Sequence, residues 1–404
     1  MKIINDGNAA LPKGFQLGGM HCGIKKENLD LAVLFSEKPA IAAVKTTTNC
    51  VKAAPILWCK EVMKNPLKQL VVVNSGNANA CTGIGGQEVV EETAKKAASV
   101  FSVEKEDVLV ASTGVIGVPL PVEKILTGLE KISLAHSIDA GTAAATAIMT
   151  TDTGIKTIGV EIEIKGKAVK IGGMAKGSGM IHPNMATMLS FVTTDISIDP
   201  QLLDTLLTQA TEETYNMISV DGDTSTNDMV TVLANGMAGN DVLNADDADL
   251  EIFKEAFLYV HKTLAKKIVR DGEGATKFVE VEVRGAKTQT DAKILAKSVI
   301  TSNLFKTAMF GEDANWGRAL CALGYSGVKF DPLKVSLVFS SQAGMVTLLN
   351  DGMPIAFDED EALAVLKETD LHIGVELEEG SEKAIAWGCD LSYEYVKING
   401  DYRS

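Results

Sequence analysis

The residues whose types and spacing most directly suggest covalent chemistry lie in GGMAKGSGMIHPNMATMLSF, residues 172–191. A lysine, Lys176, stands among glycines, and Thr187 follows a small residue, Ala186. A secondary hydroxyl is a weak nucleophile unless a base sits beside it. Cutting the chain just before a threonine supplies that base from the same residue: the new α-amino group, with a reference pKa of about 7.7–8.0, is matched to proton transfer near neutral pH. Such a cut requires a kinked peptide upstream. Gly172, Gly173, Gly177 and Gly179 admit unusual backbone angles, and Lys176 would then face the pocket so formed. A buried glycine-rich turn without chemistry fits the same residue types, and composition alone leaves both readings open.

Other chemistry finds less support. A nucleotide P-loop needs lysine directly after the last glycine and then Ser or Thr, whereas Lys176 precedes Gly177. DGDTSTND, residues 221–228, has the look of a cation loop, but Thr226 and Val232 occupy the positions where an EF-hand needs Gly and Glu. A turn closed by its own Asx and Ser/Thr hydrogen bonds fits better. There is no G-x-S-x-G elbow, and His182, followed by Pro183, reads as structural. The cysteines, Cys22, Cys50, Cys59, Cys81, Cys321 and Cys389, form no C-x-x-C pair, and no H-E-x-x-H occurs. The expectation is therefore no metal, no resident cofactor and buried reduced thiols.

The 404 residues carry a formal net charge of −15 with 46% hydrophobic and 23% charged residues. This is the composition of a globular protein with a large core. The negative excess disfavours nucleic acid and anionic membranes as partners. With Asp6 interrupting any apolar leader and no long apolar run, a cytoplasmic protein is expected.

Positioning a site of this kind takes rigid elements on either side. QLVVVNSGNANA reads as a buried strand entering a tight loop, GQEVVEETAKKAASVF as an amphipathic helix, and DVLVASTGVIG as a strand ending at Ser112-Thr113-Gly114. VEIEIKGKAVKI alternates through Val160, Ile162 and Ile164, turns at Gly166 and resumes with Val169 and Ile171, a hairpin. Two strong helices follow; in the second, Phe253, Phe257, Val260, Leu264 and Ile268 line one face. The pattern changes at FVEVEVRG, an alternating strand, and continues on a smaller scale through KVSLVFS, MVTLLNDG and EDEALAVLKET. The expectation is a mixed α/β protein of the α+β type, rich in hairpins rather than regular βαβ units. It would have two parts, residues 1–278 and 279–404.

KGSGMIHPNMATML, together with TTNCVKAAPI, NSGNANACTG, ASTGVIG, IMTTDT, SVDGDTSTND, FGEDANWGR and AWGCDLSYEYVKINGDYRS, occurring in that order, resembles the blocks of the ornithine acetyltransferase family. The resemblance covers essentially the whole chain. It implies an α-β-β-α sandwich resembling N-terminal-nucleophile hydrolases, plus a smaller α/β domain whose C-terminal tail returns to the active site. It also implies cleavage between Ala186 and Thr187 into an α chain of residues 1–186 and a β chain of residues 187–404, assembled as (αβ)2. Thr187 would be the nucleophile, and Thr113 and Gly114 the oxyanion hole. Thr150, Lys176, Thr187, Glu273, Asn399 and the terminal Ser404 would bind substrate; Gly400 and Ser404 stand where the family often has Ala and Thr. The implied activity moves an acetyl group from N2-acetylornithine to glutamate in arginine biosynthesis, with acetyl-CoA allowed as a co-substrate. An amidohydrolase with water as acceptor and an uncut ligand-binding protein are the rival classes.

Overall fold

The computed structural model describes residues 1–182 and 188–401 of the chain. Its contacts divide into two compact units: residues 1–177, 188–216 and 223–268 form the first, and residues 178–182, 217–222 and 269–401 the second.

The first unit contains β1 (Lys2–Ile3), β2 (Phe15–Met20), β3 (Leu31–Thr46), α1 (Ala54–Val62), β4 (Leu67–Asn77), α2 (Gly83–Phe101), β5 (Val108–Val115), α3 (Val122–Lys131) and α4 (Ile138–Ala147). It continues with β6 (Lys156–Ile164), β7 (Lys167–Lys176), β8 (Leu189–Thr194), α5 (Pro200–Glu213), β9 (Met229–Ala234) and nearly all of α6 (Leu250–Arg270). The strands are hydrogen-bonded in the order β1-β6-β7-β8-β9-β3-β4-β5, with β2 also on β3. The long β3 joins the two halves. Its first part pairs with β2 and β4, its residues 41–46 pair with β9, and the register breaks between Phe35 and Ala40. Pro39, which has no N–H for a ladder, falls in that break.

The halves face each other across one core. Phe15, Leu34, Val71, Val73 and Leu109 from β2–β5 cluster with Met174, Leu189, Phe191 and Leu233 from β7–β9. Burying each of these side chains contributes about 1.5–3 kcal/mol. On the outer side of β3–β5, Val33, Val72 and Val110 pack under Val90, Ala94 and Ala97 of α2 and Leu129 of α3. On the other outer side α6 lies over β7, where a Cβ on Gly173 would fall 2.9 Å from Leu264 Cδ1. The layers are therefore helix, sheet, sheet, helix, an αββα sandwich.

Two particulars differ from the sequence reading. The pairs β4/β5 and β8/β9 are parallel, each bridged by a helix, so βαβ units coexist with the hairpins. And of the four glycines at 172–179, only Gly177 takes a positive φ, +154°. Gly172 and Gly173 are ordinary β7 residues kept small by close packing: a Cβ on Gly172 would lie 2.1 Å from the Asn8 carbonyl oxygen.

The second unit contains β10 (Phe278–Ala286), α7 (Gln289–Thr301), α8 (Asn303–Phe310), α9 (Trp316–Gly324), β11 (Ser336–Ser341), β12 (Gly344–Asn350), β13 (Met353–Pro354), α10 (Glu359–Lys367), β14 (Asp370–Glu376), β15 (Glu382–Cys389) and α11 (Tyr393–Gly400). Its sheet runs β13-β12-β11-β14-β10-β15. Val279, Val281 and Val283 of β10 and Leu337 and Phe339 of β11 are buried. The unit begins at Val269 rather than at 279, and takes in residues 178–182 and 217–222. The change of hydrophobic pattern marks where β10 starts, whereas the turn before it already bonds within this unit, Thr276 and Lys277 donating backbone N–H groups to Asp390. Among the described residues no helix is long and apolar enough to cross a membrane. All six cysteines are free. Cys59 and Cys389 are buried, but Cys50, Cys81 and Cys321 are exposed on loops and a helix face, where burial had been expected.

Candidate functional site

The first cluster forms where β5 and β7 end. Three buried asparagines of NSGNANA shape the loop after β4. Asn74 Nδ2 donates to the Asn77 carbonyl at 2.9 Å and Asn77 Nδ2 to the Val118 carbonyl at 3.0 Å, while Asn79 Nδ2 donates to the Gly86 carbonyl at 2.9 Å. Asn227, from the SVDGDTSTND block, ties this loop to β5 by donating to the carbonyls of Ala78 and Ser112 at 2.6 and 2.8 Å. In the same block Ser225 Oγ accepts from Asn227 N at 3.1 Å, the Ser/Thr turn expected from its composition. These bonds set Gly76 opposite Gly114, where the β4/β5 register slips. Gly114 has φ +132°, and a Cβ there would lie 2.3 Å from the Gly76 carbonyl carbon, so glycine is required on both counts.

Next to Gly114, Thr113 meets Lys176. The lysine Nζ donates to Thr150 Oγ1 at 2.7 Å and to Thr113 Oγ1 at 3.3 Å. An ammonium group has donors only, so both threonine oxygens accept, and each hydroxyl hydrogen is left to point away as a donor. Asp152 anchors the group from behind. Its Oδ1 accepts from Lys156 Nζ at 2.6 Å and Gly177 N at 2.7 Å, and its Oδ2 accepts from Thr150 N at 2.9 Å and lies 3.8 Å from Lys176 Nζ. Burial by itself would push the Asp152 carboxyl up. The ammonium groups of Lys176 and Lys156 and the hydrogen bonds outweigh it and hold the carboxyl well below the usual carboxylate range.

Lys25 adds a further cation. Its Nζ donates to the carbonyls of Met149 at 2.6 Å and Leu29 at 2.9 Å, and its Cγ lies 3.0 Å from where a Gly76 Cβ would be. Burial, and then the charge of Lys176, lower its pKa, while Asp30 and Asp152 oppose the shift.

The second cluster belongs to the second unit. Glu273 is buried, 7% exposed, and its Oε2 accepts from Asn399 Nδ2 of α11 at 2.8 Å. Its backbone N–H donates to the Ser178 carbonyl at 2.9 Å. Gly274, at φ +68°, lets the chain pass beneath α11: a Cβ there would lie 2.6 Å from Tyr395 N.

Thr113, Gly114, Thr150 and Lys176 are thus brought together in one unit, and Glu273 and Asn399 in the other. Ala186, Thr187 and Ser404 lie outside the described residues. Lys25, Asp152 and Lys156 were missed as site residues. Asp152 was within reach, since it falls in the TTDT block four residues before Lys156, but a carboxylate between two lysines forms only once β7 pairs with β6. No group of His, Cys, Asp and Glu side chains among the described residues is arranged to hold a metal ion.

A sandwich that holds a hydroxyl–lysine–carboxylate cluster beside a positive-φ glycine at its strand ends has the groups an enzyme site needs. The family model for ArgJ matches residues 16–404. The chain is 53% identical over 404 residues to the arginine biosynthesis bifunctional protein ArgJ of Caldanaerobacter subterraneus, covering all of both proteins. It is 49% identical to that of Thermotoga neapolitana over 98% of this chain and all of the other. A crystal structure of the Bacillus halodurans arginine biosynthesis bifunctional protein is 48% identical, with a TM-score of 0.51. It covers 53% of this chain and 99% of its own. The chain belongs to the ArgJ family.

Proposed function

We propose that this enzyme moves the acetyl group of N2-acetylornithine to glutamate through an acetyl ester on Thr187, after cleaving its own chain before that residue. In the cleavage, Thr187 Oγ attacks the Ala186 carbonyl carbon, the peptide C–N bond breaks, and the hydroxyl proton passes to the freed α-amino group. Water then hydrolyses the ester, leaving Ala186 with a carboxylate and Thr187 with its hydroxyl. In turnover the α-amino group takes the Oγ proton as Oγ attacks the acetyl carbonyl. The proton goes to the departing ornithine nitrogen. The amine of glutamate next attacks the acetyl ester, returning a proton to Oγ and leaving as N-acetylglutamate. Thr113 and Gly114 stabilise the negative charge that develops on the carbonyl oxygen, a contribution made only in the transition state. Lys176 binds a substrate carboxylate, and Glu273, steadied by Asn399, binds a substrate amine; Thr150 and Ser404 complete the binding set.

The observation that carries this reading is the Lys176–Thr113–Thr150 cluster beside Gly114: a lysine that occupies the threonine oxygens makes their hydroxyls donors toward an oxyanion. Acetyl-CoA serves as a second, slower acetyl donor, because any donor that loads Thr187 gives the same ester. No resident cofactor takes part. The cut chains assemble as (αβ)2 in the cytoplasm.

The test is to incubate purified protein with N-acetylornithine alone and analyse it by mass spectrometry. An acetyl group on a fragment beginning at Thr187, with parallel double-reciprocal plots when both substrates vary, is expected. Converging plots with no trapped adduct refute the ester, and release of acetate without need for glutamate makes the enzyme a hydrolase.

A further inference from the structure

Between Lys176 and the proposed cleavage point the chain passes through residues 178–182, where Met180 is held in strained backbone. Met180 has φ +56°, a left-handed conformation that L-residues other than glycine rarely adopt and that persists only where the surroundings impose it. A carboxylate grips the bend directly. Asp221 Oδ2 accepts from Met180 N at 2.6 Å, and Asp221 Oδ1 accepts from Ile181 N at 2.9 Å. Charge-assisted bonds to consecutive backbone N–H groups are strong and fix direction. The clasp is closed by Val220 N, which donates to the Ile181 carbonyl at 2.7 Å. From the other side Ser178 Oγ donates to the Asp271 carbonyl at 2.6 Å, and Gly179 is so close to Glu273 that a Cβ would lie 2.3 Å from the carboxyl carbon. The bend at Met180 is therefore pinned at both ends, a few residues before Ala186 in sequence.

We propose that Asp221 is a positioning residue for self-cleavage, acting by clamping the left-handed bend at Met180, which lies six residues before Ala186 in the sequence. The inference rests on the cleavage reading above. Asp221 acts through the backbone N–H groups of Met180 and Ile181.

The experiment follows conversion of the freshly translated full chain into two fragments on denaturing gels, with the cut site checked by mass spectrometry and Thr187→Ala as the uncut control. Asp221→Asn is expected to slow conversion at least tenfold. Adding Met180→Gly is expected to restore most of the rate, because glycine takes the bend without a clamp. Thermal unfolding of each variant, with Tm expected within a few degrees of the uncut Thr187→Ala control, separates slowed cleavage from a general folding defect. Conversion of Asp221→Asn at the wild-type rate, or slow conversion that Met180→Gly leaves unchanged, overturns this inference alone. A wild-type chain that stays whole overturns the cleavage reading and this inference with it.

Discussion

Replacing Asp152 by asparagine removes a negative charge from between two buried ammonium groups while keeping the side chain's shape. Lys156 is 2% exposed with its Nζ 2.6 Å from Oδ1, and Lys176 is 7% exposed with its Nζ 3.8 Å from Oδ2. Taking away one partner of a buried pair leaves the other charge uncompensated, at a cost of about 3–5 kcal/mol. Thr150 N and Gly177 N also lose a charged acceptor, which favours the upper part of that range. For a unit of this size the loss corresponds to a fall in Tm of roughly 6–20 °C. The assay is thermal unfolding followed by circular dichroism for wild type, Asp152→Asn and Asp152→Asn/Lys156→Met. The double variant should recover more than half of the loss, since methionine removes the buried charge that Asp152 had faced. The difference should also depend on pH. The carboxyl is held below its ordinary value in the folded chain, so its contribution is complete above the unfolded value of about 3.9 and is lost as the pH falls from there toward the folded value. Wild type and single variant should converge below about pH 4. An unchanged Tm in the single variant, or a double variant no better than the single, would refute the reasoning.

Thr113→Val removes a proposed oxyanion donor and should lower kcat by about 10²–10³ with little change in Tm; a kcat within threefold of wild type contradicts the role. Lys25→Met frees the Met149 carbonyl and should lower kcat/KM about tenfold, since Thr150 loses an anchor; steady-state kinetics decide. Glu273→Gln should raise KM for N-acetylornithine, which has a free δ-amine, more than for glutamate, and equal changes would argue against amine recognition. His261 is buried with its Nδ1 3.1 Å from Tyr215 Oη and its Nε2 unbonded, and burial lowers its pKa to about 3. The unfolded chain therefore takes up a proton below about pH 6.5 that the folded chain refuses, and stability should fall by about 3 kcal/mol between pH 6.5 and 4 from this group. Denaturant titrations of His261→Phe should show a correspondingly flatter pH dependence.

The local pattern of this protein was legible in its residues. The hairpin of β6 and β7 turns at Gly166 as alternation required, and Phe253, Phe257, Val260, Leu264 and Ile268 of α6 are all buried. Helical and strand periodicity report which face of an element meets the core, so these elements follow from spacing alone. The family blocks also name Thr113, Thr150 and Lys176, which the fold brings into one hydrogen-bonded cluster, and Glu273 and Asn399, which bond to each other.

What spacing could not report is which distant segments share a contact. Gly172 and Gly173 look like a flexible run in sequence, yet they are strand residues kept small by Asn8 and Leu264, neither of which is near them in the chain. The loop after β4 is tied to the end of β5 by Asn227, which donates to Ala78 and Ser112, a link across more than a hundred residues. Whether a glycine, a lysine or an aspartate is strained, charged or clamped depends on such long-range neighbours. The sequence by itself therefore determined the local elements and the family. Only the tertiary structure decided that Asp152 sits between two lysines, that Lys176 turns two threonines into donors and that Asp221 grips the bend at Met180, because burial and hydrogen-bond geometry exist only after remote strands and loops have met.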